Sequence, residues 1–214
     1  MLIPIRESDV QRTIPAVATS NQFVSALGNP RKILQRVMIS AIGGSITLVI
    51  SQSQITSQFY SLWLILGVVI LLYILWGPIL EASRRNSSIR KYPFTAIFEG
   101  EISKIFTKEK VEKSHEQANS RGELELIENR RTFLILEISD EDGYLGEISC
   151  PMENKFESLR EGLIIRCLVF SNKSDFSTVL AISDAWIPEL RIWFGDYPYL
   201  LKPAFEDLCR LRLR

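Results

Sequence analysis

The stretch FYSLWLILGVVILLYILWGPIL, residues 59–80, decides the fold class of this chain. It contains no charged residue, and a helix needs roughly 20 apolar residues to cross the hydrocarbon core of a bilayer. Trp63 and Trp76 lie towards its two ends, where amphipathic rings favour the headgroup level. We therefore predict a membrane-spanning helix, with Pro78 disturbing its last turn.

A second uncharged segment, residues 37–55, precedes this stretch and is diluted by serine, glycine and threonine. Small residues allow two helices to approach closely in lipid. We predict that residues 37–80 form a transmembrane helical hairpin, joined by an uncharged connection over 51–58. The sequence leaves open whether the first segment spans fully or lies partly in the interface.

Basic residues flank the two segments on one side of the predicted hairpin. The positive-inside rule then predicts a multi-pass membrane protein with both termini on the cytoplasmic or stromal face. The residues expected at the membrane interface are Trp63, Trp76, Arg31, Lys32, Arg36, Arg84, Arg85, Arg90 and Lys91.

Charge is unevenly distributed, although the 214 residues have a formal net charge of zero. Residues 1–91 contain nine basic and three acidic residues, whereas residues 92–214 contain 16 basic and 22 acidic residues. Nucleic-acid binding requires a cationic surface, so the acidic C-terminal part argues against it.

No pattern in the chain indicates catalysis, a cofactor or a metal. The phosphate-binding loop, the nucleophile elbow and the HExxH motif are absent, and His115 is the only histidine. Cys150, Cys167 and Cys209 are too widely spaced for a zinc site, and we predict free, buried thiols in a reducing compartment. We therefore expect no enzymatic activity, no cofactor and no small-molecule substrate.

Short apolar segments separated by turn residues follow from residue 92 onward, and they predict a small antiparallel β-barrel or sandwich. Residues 108–120 are predicted to be a loop or short helix, and Asp142-Gly143 a hairpin turn. A C-terminal amphipathic helix follows Pro203. The predicted organisation is an N-terminal arm on the cytoplasmic face (1–36), the hairpin (37–80), a basic linker (81–91), the β-rich domain (92–200) and the C-terminal helix (201–214).

A group of aromatic residues near the C-terminus provides the candidate partner-binding surface. Tryptophan and tyrosine are frequent anchors in protein interfaces. Packing within the β-domain, or contact with lipid headgroups, is an equally good interpretation of the two tryptophans. The candidates are Trp186, Trp193, Phe194, Tyr197 and Tyr199.

Several short stretches, taken as a set, resemble a cyanobacterial family of two-span membrane proteins that often carry the label "phosphate ABC transporter permease". These stretches are Trp76–Pro78, Ala82-Ser83, Arg85-Asn86, Pro93, Gly100, Arg121–Leu124, Glu128–Arg130, Asp142-Gly143, Ser183-Asp184 and Gly195–Leu200. The resemblance implies an oxygenic photosynthetic source and a thylakoid membrane location. One hairpin is too small for a permease of that class.

The first functional hypothesis is a non-enzymatic thylakoid protein that acts as an assembly or accessory factor. Its partners would be the membrane and the subunits of a photosynthetic complex, with a photosystem as the first candidate. The alternatives are an accessory subunit of a membrane transporter and a membrane-anchored scaffold for a soluble partner.

Overall fold

The computed structural model describes residues 1–53, 58–118 and 124–213, and only the backbone of 112–118 and 124–129. In chain order its elements are β1 (Leu2–Pro4), α1 (Glu7–Thr13), α2 (Ser20–Leu27), α3 (Pro30–Ser53), α4 (Tyr60–Leu71), α5 (Tyr73–Arg90), β2 (Phe94–Ala118), β3 (Leu124–Ser139), β4 (Leu145–Pro151), β5 (Ile164–Ser171), β6 (Val179–Ile182), β7 (Ala185–Ile187), β8 (Ile192–Phe194) and α6 (Lys202–Arg212). A single 3₁₀ turn, Asn154–Phe156, follows β4.

The chain divides into two units. The sheet unit comprises Met1–Thr13 and Tyr92–Arg214, and the helical unit comprises Ile14–Lys91. The predicted N-terminal arm is therefore not one segment. Its first 13 residues belong to the sheet unit, where β1 pairs with β2, and its remainder belongs to the helical unit.

The helical unit consists of α2, α3, α4 and α5. A reciprocal capping box of Thr19 and Gln22 starts α2. Gly28, with a φ of 75°, ends α2, because glycine adopts this left-handed conformation without a Cβ penalty. Pro30 then opens α3, where its missing N–H has no helical partner to lose. Residues 54–57 of the predicted connection lie outside the described residues.

The segment predicted as a basic linker is helical, because α5 continues without interruption from Tyr73 to Arg90. Its Ala82, Asn86 and Ile89 are buried at helical spacing, so packing within the unit stabilises these turns. The charged and polar residues 81–91 thus resemble a linker in sequence, but residues 81–90 belong to a helix with one buried face.

One described helix, α3, is long and apolar enough to cross a membrane. α4 and α5 together meet the same criteria of length and composition, but they are bent by 70° at a break. That break lies at Leu72, between the two helices, and not at Pro78, which α5 accommodates.

All eight described strands belong to one antiparallel sheet, in which the spatial order of the strands differs from their order in the chain. Six strands follow the order β4-β3-β2-β5-β7-β8, while β1 pairs with β2 and β6 pairs with β5. The sheet is open, so the predicted closed barrel is wrong, and the strands do not divide into the two sheets of a sandwich. The prediction of a helical and antiparallel β protein is confirmed at this coarser level.

β2 is much longer than predicted. It pairs with β3 from Glu101 opposite Ser139 to Ala118 opposite Leu124, so residues 108–118 are strand and not loop or helix. Residues 119 and 120 lie outside the described residues. Pairing with a partner strand satisfies the backbone here, and this long-range interaction overrides the low strand propensity of the charged sequence.

The main hydrophobic cluster of the sheet unit includes Phe98, Leu136, Ile165 and Phe194, all fully buried. The predicted C-terminal helix is confirmed as α6, which begins with Pro203 in its first turn and buries Phe205 and Leu208. Its N-terminal side is joined to α1 through Leu201 N, which donates to Thr13 O at 2.7 Å.

Candidate functional site

The buried face of α3 consists mainly of small and polar residues, whereas its exposed faces consist mainly of large apolar residues. The buried residues follow one stripe at a spacing of three or four: Arg36, Ser40, Gly44, Thr47 and Ser51. The exposed large residues are Leu34, Val37, Met38, Ile39, Ile42, Ile46 and Val49. This pattern is the reverse of a helix that covers a soluble core, which buries its apolar stripe.

Glycines bring α3 and α4 into close contact. A Cβ at Gly44 would lie 2.9 Å from Leu71 Cδ1, and one at Gly43 would lie 2.8 Å from Ile70 Cγ2. On the facing helix, a Cβ at Gly67 would lie 3.1 Å from Thr47 Oγ1. The predicted close approach of two helices through small residues is therefore present, in the manner of small-residue interfaces in membrane proteins.

The bend between α4 and α5 is supported by two side-chain hydrogen bonds. Ile74 N–H, at the start of α5, donates to Ser40 Oγ of α3 at 3.1 Å. The indole Nε1–H of Trp76 donates to Val69 O, near the end of α4, at 2.8 Å. Helix ends leave backbone groups without helical partners, and these side chains satisfy one at each side of the break.

A charged cluster lies where the apolar part of α5 ends. Arg36 is buried, and its guanidinium donates to Glu81 Oε2 at 2.6 Å and to Ala26 O at 3.0 Å. Glu81 Oε1 accepts from Arg85 at 2.9 Å, and Lys32 Nζ lies 3.8 Å from the same oxygen. Glu81 thus joins α5 to the residues that surround the start of α3.

The predicted membrane-interface residues occupy three kinds of environment. Arg36 is buried in the charged cluster, so it does not meet headgroups as an exposed side chain. Lys32 and Arg85 contact Glu81 but remain more than a third exposed. The remaining predicted residues are exposed or half-buried: Arg31, Trp63, Trp76, Arg84, Arg90 and Lys91.

The structure divides the predicted aromatic partner-binding group. Phe194 is fully buried in the sheet core, and its ring centroid lies 5.0 Å from that of Phe156. Tyr197 is also buried, with its ring 4.7 Å from that of Tyr199. Phe194 and Tyr197 therefore stabilise the sheet unit and present little surface to a partner.

Trp186, Trp193 and Tyr199 are half-buried. The rings of Trp186 and Trp193 face each other across β7 and β8 at 5.1 Å. Lys202 Nζ of α6 lies 5.6 Å from the centroid of Trp193, a cation–π distance. The two tryptophans and Lys202 form a mixed aromatic and cationic patch, which we call the tryptophan patch.

Asp184 is a buried carboxylate that is part of the family resemblance but had no predicted role. Its Oδ1 accepts a hydrogen bond from Leu200 N at 2.9 Å. Burial raises its pKa to about 7, against the opposing effects of backbone hydrogen bonds and of Lys202. Gly195 packs directly against Asp184, since a Cβ there would lie 2.9 Å from Asp184 Cα.

The prediction of free, buried thiols is confirmed for all three cysteines. Cys150 donates to Gly195 O at 3.2 Å, and burial raises its pKa. Burial also raises the pKa of Cys167, and it raises the pKa of Cys209 to about 12. Because the thiolate is the reactive form, these side chains are inert in the folded unit.

Asn86 is a second buried polar residue that is part of the family resemblance but had no predicted role. Its Nδ2 donates to Pro15 O and to Gln22 Oε1, both at 2.9 Å. Gln22 is itself part of the capping box of α2, so Asn86 joins α5 to two points of the preceding chain. The sequence signal was a polar residue at helical spacing between Ala82 and Ile89.

No metal-binding group of three or more histidine, cysteine or carboxylate side chains occurs in the part of the chain that the structure describes. The backbone of His115 belongs to β2, but its side chain lies outside the described residues.

Comparison with known proteins identifies a family. The model of the "Family of unknown function (DUF8619)" matches residues 3–213. The chain belongs to DUF8619. No curated protein and no solved structure matches it. The match covers both units of this DUF8619 member, so the helical and sheet units occur together in the family pattern.

Proposed function

We propose that this DUF8619 protein is a non-enzymatic accessory or assembly factor, anchored in a membrane by its helical unit, that binds a photosynthetic membrane-protein complex. The thylakoid location and the photosynthetic partner follow from the sequence resemblance. The reversed polarity of α3 supports the membrane anchor.

That reversed polarity carries the proposal. Only 22 % of the most apolar window of α3 is buried within the chain. A core helix of a soluble protein would bury most of this window, and contiguous exposed apolar patches above a few hundred Å² are rare on soluble monomers. Lipid or the apolar surface of other membrane subunits would cover these side chains. The buried hydroxyls of Thr47 and Ser51 bond to carbonyls of their own helix, which suits an apolar surrounding.

The sheet unit would supply the contact with the complex outside the bilayer. Its tryptophan patch combines two rings with a cation, and aromatic residues are enriched at the energetic centres of interfaces. Trp186 is the better test of this surface, because Trp193 also packs against Phe205 of α6, with ring centroids 5.8 Å apart.

The first experiment is extraction of native membranes with alkaline carbonate, followed by affinity purification of the tagged full chain in mild detergent. We expect the protein to stay in the membrane pellet, and the eluate to contain chlorophyll and photosystem subunits. Release by carbonate would refute the anchor. A colourless eluate containing an ATPase and a multi-span permease would favour the transporter alternative.

A second arm compares Trp186→Ser with the wild-type chain. If the tryptophan patch binds the complex, the variant should lose most co-purified subunits while remaining in the membrane pellet. Met152→Ser, which changes another exposed apolar residue of the sheet unit, is the matched control and should co-purify normally. Equal recovery from all three chains would exclude the patch as the binding surface.

A further inference from the structure

We propose that the helical unit contains a specific site for the phosphate headgroup of an anionic phospholipid, a proposal that rests on membrane anchoring of this unit. The site is a cavity of about 590 Å³ on one face of α5, which Arg36 of α3 also lines. The family match gives no ligand for this cavity, and the predicted interface residues were expected to meet headgroups in general rather than to form a site.

The lining of the cavity changes from apolar to cationic along a single helix face. Tyr73, Trp76 and Leu80 line its apolar end, whereas Arg84 and Ser88 line its cationic end, further along the same helix. A phospholipid has the same order of groups, since its acyl chains lead through glycerol to the phosphate. The rings of Tyr73 and Trp76 are of the kind that is enriched at the interfacial level of a bilayer.

The charges in the cavity favour an anion. Three arginines line it against one carboxylate, that of Glu81. Both oxygens of Glu81 are already engaged, one by Arg36 at 2.6 Å and the other by Arg85 at 2.9 Å. The lining therefore has an excess of two positive charges, and no aspartate or other glutamate contributes to it.

Arg84 is the side chain that would bind the phosphate. It is exposed at the cavity, and within the described residues no carboxylate forms an ion pair with it. A guanidinium presents paired N–H donors in a planar fork that matches phosphate oxygens. Arg36 and Arg85, fixed by Glu81, would add to the field around the headgroup without needing to move.

Gly77 also lines the cavity and lies against Tyr73. A Cβ at this position would lie 3.0 Å from the ring of Tyr73, a tighter distance than side chains normally tolerate. Gly77 and Pro78 are both buried, so the backbone of α5 is shielded from solvent at this point. The cavity is bounded by aromatic and aliphatic groups at its apolar end and by guanidinium groups at its cationic end.

The test uses the full chain in detergent, titrated with phosphatidylglycerol or with phosphatidylcholine of the same acyl chains. Native mass spectrometry counts the lipids retained per protein. We expect one phosphatidylglycerol to bind at least ten-fold more tightly than phosphatidylcholine. Arg84→Gln should weaken phosphatidylglycerol binding about ten-fold, as expected for the loss of one charge-assisted contact.

Arg31→Gln is the matched control, because it removes the same charge from an exposed position before the first apolar segment and outside the cavity. It should change phosphatidylglycerol binding by less than about two-fold, since it removes no contact in the site. Equal losses in the two variants would mean diffuse attraction to the membrane surface and would overturn the site. Equal retention of the two lipids by the wild-type chain would overturn it as well.

Two further readouts separate the sources of failure. If inorganic phosphate at millimolar concentration displaces the lipid completely, the cavity binds the free anion and the lipid assignment is wrong. If carbonate extracts the wild-type chain from native membranes, the proposed anchor itself is wrong. If the chain resists carbonate but does not prefer phosphatidylglycerol, this site alone is refuted and the anchor stands.

Discussion

Replacing Asp184 with asparagine should remove a pH dependence from the stability of the sheet unit. The folded state raises the pKa of Asp184 from 3.8 to about 7, chiefly through burial. Between these two values the unfolded chain has released the proton while the folded unit still holds it. The carboxyl therefore destabilises folding progressively as pH rises from about 4 to about 7, and no further above that.

The size of this effect follows from the two pKa values. Each pKa unit corresponds to 1.36 kcal/mol, so a change from 3.8 to about 7 amounts to about 4 kcal/mol. The asparagine of the variant would keep an acceptor oxygen for Leu200 N, which bonds Asp184 Oδ1 at 2.9 Å, without ionising. Asp184→Asn should match the wild-type stability near pH 4 and exceed it by up to about 4 kcal/mol at about pH 8.

Thiol protection measures this unit alone within the full chain. All three cysteines of the protein, Cys150, Cys167 and Cys209, are buried in the sheet unit, so they react only when it opens. Labelling rates at each pH, divided by those of an unfolded reference, give its opening free energy. Asp196→Asn, an exposed neighbour of the same turn, should follow the wild-type curve. If Asp184→Asn lost stability at every pH, or kept the wild-type slope, the burial argument would be refuted.

Two predictions concern the helical unit and use sodium dodecyl sulfate titration of the full chain, followed by circular dichroism. Gly44→Leu should destabilise the unit by about 1–3 kcal/mol through overpacking, because even a Cβ would lie 2.9 Å from Leu71. Ser45→Leu, on the exposed side, is its control, and equal effects would contradict the packing. Asn86→Ala should cost about 1–3 kcal/mol by leaving Pro15 O without its partner, whereas the adjacent exposed Ser87→Ala should not. An unchanged midpoint for the Asn86 variant would show that its hydrogen bonds do not stabilise the unit.

Local sequence signals predicted the elements whose stability is itself local. The apolar run over 59–80, the turn at Asp142-Gly143 and the helix after Pro203 each depend on residues that are close in the chain. Their composition alone indicated helix, turn and helix, but it predicted one continuous span over 59–80 with a disturbance at Pro78, whereas two helices meet there at a bend of 70°. The break lies at Leu72, next to the hydrogen bond that Ile74 N–H donates to Ser40, a residue 34 positions earlier in the chain. No property of the residues around position 72 indicates it.

Non-local pairing explains the main errors in the β-region. Residues 108–118 are polar and resemble a loop in sequence, but β3 lies beside them and satisfies their backbone. Arg130 lies 3.5 Å from Glu109 across these strands, and Lys110 lies over the ring of Phe133. Glu109 and Lys110, two of the charges that suggested a loop, thus have cross-strand partners. The burial of Phe194 is not visible in the sequence for a related reason, because Phe156, whose ring packs against it, is distant from it in the chain.

The sequence of α3 also contained a signal that hydrophobicity could not extract. Apolar residues surround most of this helix outside its one buried face, so the position of the apolar residues does not indicate which side packs against a partner helix. Residue size does identify the packed side, because small residues recur on it every three or four positions: Ser40, Gly44, Thr47 and Ser51. In water the burial of such a stripe would leave the apolar faces exposed at a large free-energy cost. In lipid the same arrangement costs little, because close packing replaces the hydrophobic effect as the force between helices. The burial of the small and polar face of α3, with its apolar faces exposed, therefore favours lipid over water as the surroundings of the helical unit.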